Sequence, residues 1–186
     1  MIGNAREEMI GNEVGIRDMT DADLVSVVEI VNREIRESPY VWGEIPVTVE
    51  ARRQWLARHG ELGQPAIVAT SSTDGRVIGW ASLSTFRPSS GYRFTLEASV
   101  YVARDAQRRG IGRGLIAALH DRAEPAGVHA VVAVIDAENT PSIDLFHSFG
   151  YADVGRLDGI GRKFGMWRDE VFLLKHLMRA RDQSRA

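Results

Sequence analysis

Two stretches of this chain carry residue types whose spacing can do chemistry. The first is Gln107-Arg108-Arg109-Gly110-Ile111-Gly112-Arg113-Gly114. It lies between the β-branched run Val100-Tyr101-Val102 and a helical stripe of Leu115, Ile116, Ala118, Leu119 and Ala123. Glycines at the mouth of a helix bare the backbone N–H groups that the first turn leaves without partners. Those donors, the positive end of the helix dipole and the side chains of Arg108, Arg109 and Arg113 suit a pyrophosphate. Two well-known phosphate loops do not fit. A Walker loop ends in Gly-Lys-Ser/Thr, whereas Gly112 is followed by Arg113 and Gly114. A dinucleotide fingerprint begun at Gly110 and Gly112 wants a glycine where Leu115 stands.

The second stretch is the strand-like run 95–102, which has a carboxylate, Glu97, in its middle. Alternation puts Glu97, Ser99 and Tyr101 on one face and Ala98, Val100 and Val102 on the other. Burying a carboxylate without compensation is costly. Glu97 is therefore either paired with an arginine, Arg87 or Arg93, or kept as a general base or an amine anchor.

The elements that must position these groups follow from periodicity and capping. Strands are expected at 14–17, 66–70, 77–83, 95–102, 128–135, 151–156 and 171–177. Helices are expected over 20–37 with Thr20 as cap, over 48–60 with Thr48 as cap, from the glycine loop to about 125, and over 142–149. Thr140 is the expected cap of the last helix, with Pro141 at its first helical position. A polar turn at 71–76 makes a hairpin, and a long glycine- and arginine-rich loop separates the last two strands. The order predicts an α/β fold with a mixed, mostly antiparallel sheet of about six to seven strands and about four helices. Residues 1–13, in which Met1-Ile2-Gly3-Asn4 recurs as Met9-Ile10-Gly11-Asn12, are expected to be a disordered polar leader. Residues 14–177 form one domain, and 178–186 a polar tail.

With 186 residues, 44% of them hydrophobic, the chain can bury a sizeable core. Its 23 basic and 25 acidic residues nearly balance, which argues against nucleic acid or an anionic membrane as partner. No cysteine is present, so disulfides, thiolate metal sites and a cysteine nucleophile are all excluded. The five histidines lack metal-ligand spacing, and no metal is expected. The absence of cysteine, of an apolar signal core and of a bilayer-length apolar run fits a cytoplasmic protein.

The pattern Gln/Arg-x-x-Gly-x-Gly/Ala, met by Gln107, Gly110 and Gly112, resembles the acetyl-CoA pyrophosphate loop of the GNAT superfamily of N-acetyltransferases. The resemblance extends over 14–177. It is carried in order by Trp42-Gly43-Glu44-Ile45-Pro46-Val47, Phe86-Arg87-Pro88, Glu97-Ala98-Ser99-Val100-Tyr101-Val102, the glycine loop, Glu138-Asn139 and Gly161-Arg162-Lys163-Phe164-Gly165-Met166-Trp167. Together these are similar to the branch that acetylates phosphinothricin, methionine sulfone and methionine sulfoximine.

What the resemblance implies is a splayed sheet, with the pantetheine arm of acetyl-CoA between strands 95–102 and 128–135. Backbone groups of Val100 and Val102 would hold the arm, and Val102 N–H would face the oxyanion. Gln107, Arg108, Arg109, Gly110, Ile111, Gly112 and Arg113 would hold the pyrophosphate. Asn139 and Ser142 would touch the arm from the other strand, Asn139 also being a helix-start residue. Glu97 would be the base, directly or through a water. Arg87 and Arg93 would bind an α-carboxylate or face solvent. Trp42, Phe86 and Trp167 would wall a small side chain or fill the core, and Arg162-Lys163 would cap the site or lie in a solvent loop. The superfamily's helix-borne acid is absent, because Phe146 stands there and His147 points about 100° away around the helix. Tyr92, Tyr101 or a water replaces that acid, or none is needed. The resemblance also implies a homodimer. The expected reaction is acetyl transfer from acetyl-CoA to the α-amine of a small amino acid or analogue. An acetyltransferase for peptide N-termini and a non-catalytic CoA-binding sensor are the alternatives.

Overall fold

The computed structural model describes residues 8–10 and 13–177. Eight strands form one sheet: β1 (Glu8–Ile10), β2 (Val14–Asp18), β3 (Ala66–Ser71), β4 (Val77–Thr85), β5 (Thr95–Val102), β6 (Ala130–Asp136), β7 (Ala152–Lys163) and β8 (Met166–His176). Their order is β1-β2-β3-β4-β5-β6-β8-β7, and only β5 and β6 run parallel. Among the described residues the four α-helices are α1 (Leu24–Glu37), α2 (Val49–Leu62), α3 (Ile111–Ala123) and α4 (Thr140–His147). The mixed, mostly antiparallel α/β architecture is as expected.

The helices cover the two faces of the sheet. Apolar residues of α3 such as Leu115, Ile116 and Leu119 share a core with Ile67, Ile78, Leu83 and Val131. On the other face, Leu24, Val27, Val31 and Ile35 of α1 pack with Val68 and Trp80, and α2 adds Trp55 and Leu56. Helix α2 starts where Thr48 Oγ1 accepts the Ala51 N–H at 3.1 Å. It stops at Gly63, whose φ of 63° is left-handed.

Three expectations change. Strand β1 lies inside the stretch expected to be a disordered leader, pairing Met9 with Gly15 and Ile10 with Val14. The rest of residues 1–12 and the tail at 178–186 lie outside the described residues. The long loop before the last strand is instead a hairpin, closed by Phe164 and Gly165 at φ 49° and 79°. Two successive positive φ values match the twist of a tight hairpin. Glycine and charge between 155 and 165 weaken the strand signal, and pairing with β8 supplies what propensity does not. The cap of α4 is Asn139, not Thr140; its side-chain oxygen accepts the Ser142 N–H at 3.4 Å.

One departure from a regular sheet matters for function. Strands β5 and β6 pair only from Thr95–Ala130 to Glu97–Val132. Beyond that, β4 holds β5 as far as Val102, while β8 holds β6 as far as Asp136. A wedge opens between them. Ala103 N–H donates to Ile78 O at 2.9 Å, so alternation turns Tyr101 and Ser99 toward β4. The backbone groups of Val100 and Val102 face the wedge.

Candidate active site

At the wide end of the wedge, the turn between β5 and α3 forms an anion cradle. Arg108 and Gly110 both have left-handed φ, 64° and 79°. The first intrahelical bond runs from Gly114 N–H to Gly110 O, so the N–H groups of Ile111, Gly112 and Arg113 have no partner within the helix. Gln107 Nε2 donates to Val102 O at 3.2 Å, tying the turn to the end of β5. A Cβ on Gly112 would meet Leu145 Cδ2 at 3.1 Å, so glycine lets α3 approach α4. A cavity of about 530 Å³ runs from this cradle, lined by Arg108, Gly110, Gly112 and Arg113, to Val100 and Asn139. Of the three expected cationic side chains, Arg109 turns away to Glu13 at 3.0 Å. Arg113 lies beside Ser148 at 3.1 Å.

A second cavity, of about 280 Å³, opens on the α1 face of the wedge. It shares Val100, Val102, Asn139, Ser142 and Phe146 with the first and adds Glu97, Tyr101, Tyr40 and Asp136. The two cavities thus meet at the edges of β5 and α4. Glu97 forms no ion pair among the described residues, so of the two readings the pairing with Arg87 or Arg93 is not formed. Burial pushes its carboxyl above the ordinary glutamate value, and the Arg87 charge pulls the other way. A half-buried carboxyl of that kind holds a proton more readily than an exposed one, as a general base requires.

The other expected substrate residues are dispersed. Arg87, Tyr92 and Arg93 line a separate cavity of about 640 Å³ with Trp55 and His59. Within that region Phe86 lies against Tyr92, ring centroids 5.8 Å apart. Trp42 is a packing residue whose ring lies on Gly161, where a Cβ would come within 2.3 Å of it. Trp167 is 69% exposed. Lys163 is buried and donates to the carbonyls of Ile35 and Gly43, whereas Arg162 lies over Trp167 at 6.0 Å. His147 is held by Asp153 at 3.1 Å, away from the wedge, as its helical position implied.

Several residues at this site had no signal in the sequence. Asp136, at the end of β6, accepts from Arg168 at 2.6 and 2.7 Å, from Trp42 Nε1 at 2.9 Å and from Glu138 N–H at 2.9 Å. Burial alone would raise its pKa, but the donors, Arg168 first, hold it below the ordinary aspartate value. The segment that carries Tyr40 and Val41 into the second cavity is thereby fastened to β6, β7 and β8. Glu170 stands opposite Asp136 on β8; burial, then Glu97, then Asp136 raise its pKa. Glu34 lines the cavity from α1 and is tied to Arg104 at 2.9 Å.

A cradle of free amides, a split between two parallel strands and a carboxylate at the split agree with what comparison finds. The acetyltransferase (GNAT) family model matches residues 27–151. The chain belongs to the GNAT acetyltransferase family. An L-methionine sulfoximine/L-methionine sulfone acetyltransferase of Pseudomonas aeruginosa is 37% identical over 162 residues, 87% of this chain and 94% of that protein. The crystal structure of a ribosomal-protein-alanine N-acetyltransferase from Brucella melitensis is 40% identical, with a TM-score of 0.83, covering 87% of this acetyltransferase and 98% of that chain. A GNAT phosphinothricin acetyltransferase from Sinorhizobium meliloti, in complex with AcCoA, is 31% identical at a TM-score of 0.84, covering 88% of each chain. Among the described residues of this acetyltransferase, no helix is long and apolar enough to cross a membrane.

Proposed function

We propose that this GNAT enzyme transfers acetyl from acetyl-CoA to the α-amine of a small amino acid or analogue of the methionine sulfoximine, methionine sulfone or phosphinothricin type. The observation that carries this reading is the meeting of the two cavities at Val100, Val102 and Phe146, with Glu97 on the far wall. The pyrophosphate sits on the amides of Ile111, Gly112 and Arg113 with Arg108 alongside, and the arm runs down the wedge past Asn139 and Ser142. Val100 and Val102 offer the arm the backbone groups that β6 does not take up. Val102 N–H faces the thioester oxygen as charge develops there. The amine enters on the α1 side, where Glu97 takes its proton so that a lone pair is free to attack.

Arg87, which lines the neighbouring cavity but reaches Glu97 electrostatically, turns in to supply the α-carboxylate contact when substrate binds. Arg87→Ala is expected to lower kcat/KM for the amino acid about 10–100-fold, the worth of a hydrogen bond to a charged group. The loss should fall mainly on KM. Steady-state kinetics at fixed acetyl-CoA check this, and an unchanged KM would remove Arg87 from the site.

Thiol release from acetyl-CoA, followed with a chromogenic disulfide reagent, tests the reading as a whole, and the cysteine-free chain adds no background. Saturable release with methionine sulfoximine, methionine sulfone and phosphinothricin, with little from a short peptide, is expected. Release with the peptide alone would transfer the function to protein N-termini, the reading that the Brucella relative's name favours.

We also infer a homodimer acting in the cytoplasm. The β7–β8 hairpin at the sheet edge exposes Val154, Ile160, Phe164, Met166 and Trp167, each more than half exposed. So much apolar surface on one edge suits a second copy of the chain. Light scattering after gel filtration should give twice the chain mass, falling to one with Trp167→Glu. A monomeric parent protein would end this inference.

A further inference from the structure

A thiolate leaving acetyl-CoA is best protonated as it departs; on α4 the ring of Phe146 offers no donor, and Ser142 is assigned to the pantetheine arm. Phe146 is 3% exposed and lies edge-on to Tyr151, ring centroids 5.0 Å apart. The Tyr151 hydroxyl is taken by His120 at 2.9 Å. Tyr92 is 45% exposed and lines a different cavity. Two phenols remain on the wall that Glu97 shares, Tyr40 and Tyr101. Tyr101 stands in sequence between Val100 and Val102, whose backbone groups line the strand edge along which the thioester must lie. Its hydroxyl makes no hydrogen bond among the described residues, so it is free to donate.

The surroundings of Tyr101 contain an uncompensated cation. Its ring stacks on Trp80, centroids 4.6 Å apart and planes 14° from parallel. On that tryptophan lies the Arg52 guanidinium, at 5.0 Å, which also covers Trp55 at 4.5 Å. Arg52 is 9% exposed, its Nε has no partner, and it forms no ion pair among the described residues. A buried guanidinium without an anion is costly, and burial lowers its pKa. The other charges near the phenol are Glu34 of α1, neutralised by Arg104, and Glu97 of β5. A phenolate formed at Tyr101 during turnover is an anion that this cation can stabilise.

We propose that the Tyr101 hydroxyl protonates the departing thiolate, and that Arg52 is the positioning residue that orders the phenol and stabilises its anion. This rests on the acetyl-transfer reading above. Glu97 has passed the ammonium proton to solvent by the time the neutral amine nitrogen bonds to the thioester carbon, and the proton that this nitrogen then loses passes to the Glu97 carboxylate. The C–S bond then breaks with its electron pair on sulfur, and sulfur takes the phenolic proton. The phenolate regains a proton from solvent through the open cavity.

Tyr101→Phe keeps the ring stack and loses no hydrogen bond, so the fold should be unaffected. It should lower the single-turnover rate on the order of 10²-fold, with KM for acetyl-CoA unchanged. Fluorotyrosines of graded acidity at position 101 should give rates that follow phenol pKa, which a packing role would not. In the unliganded protein, fluorine NMR of such a residue should show its pKa rising in Arg52→Gln and remaining near the parent value in Arg52→Lys. Arg52→Gln combined with Tyr101→Phe should be no slower than Tyr101→Phe alone. Parent enzyme that turns over while Tyr101→Phe matches it would overturn the assignment, as would a loss confined to Tyr40→Phe. Parent enzyme that releases no thiol with any amine would instead count against the acetyl-transfer reading.

Discussion

Glu97→Gln should lower kcat/KM for the amino acid by roughly 10²–10⁴-fold, the usual worth of a positioned base, while leaving acetyl-CoA binding intact. The α-amine of an amino acid is an ammonium at neutral pH, and without a base only its minor neutral form can attack. The deficit should therefore be greatest at low pH and shrink as pH rises toward the amine's own pKa. In the parent enzyme the acid limb of the kcat/KM profile should stand above the ordinary glutamate range, because burial raises the Glu97 pKa. The same shift has a sign for stability. A group whose folded pKa is raised favours the fold while protonated, and that contribution is lost as pH rises through the folded value. Above that value the ionised carboxylate is thus a burden, and there Glu97→Gln should unfold at a higher temperature than the parent. A variant that is slower and more stable at once cannot owe its slowness to misfolding. Full activity across the pH range would show that Glu97 is not the base.

The parts of this enzyme legible in the sequence are those governed by local chemistry. The cradle was visible because Gln107, Gly110 and Gly112 must sit at fixed intervals for a helix to open onto phosphate. Glu97 stood out because a carboxylate violates the apolar run around it, and the face it shares with Tyr101 followed from strand alternation. What was hidden depends on pairing between distant segments. Nothing near Asp136 says that Arg168 will lie within 2.6 Å, since the two meet only when β6 pairs with β8. Lys163 and Arg162 are neighbours in one run, yet the first is buried against α1 and the second faces out. The hairpin turned a loop-like sequence into two sheet strands for the same reason: its stability lies in the rungs to β8. The isolation of Arg52 was equally invisible, because it is a statement about which carboxylates fail to arrive.

That dependence on distant pairing makes Arg168 the place where one substitution should do most damage to the fold. The guanidinium is 6% exposed and grips an Asp136 carboxylate that is 1% exposed. Removing one member of a buried pair leaves the other charge without its countercharge, at about 3–5 kcal/mol. Arg168→Met, which keeps much of the side-chain volume, should lower stability by that amount in urea titration at neutral pH. The pH dependence follows from Asp136, whose folded pKa is held below its unfolded value. Its stabilising contribution is present above the unfolded pKa and is lost as pH falls through the folded one. The gap between parent and Arg168→Met should therefore be widest near neutrality and close in acid. Adding Asp136→Asn to Arg168→Met should recover part of the loss, since no buried charge then remains. Activity should recover less than stability, because Asp136 also fixes Trp42 and, through it, the segment that carries Tyr40 into the cavity. Equal stability of parent and Arg168→Met would show that the pair contributes nothing to holding β6 and β8 together.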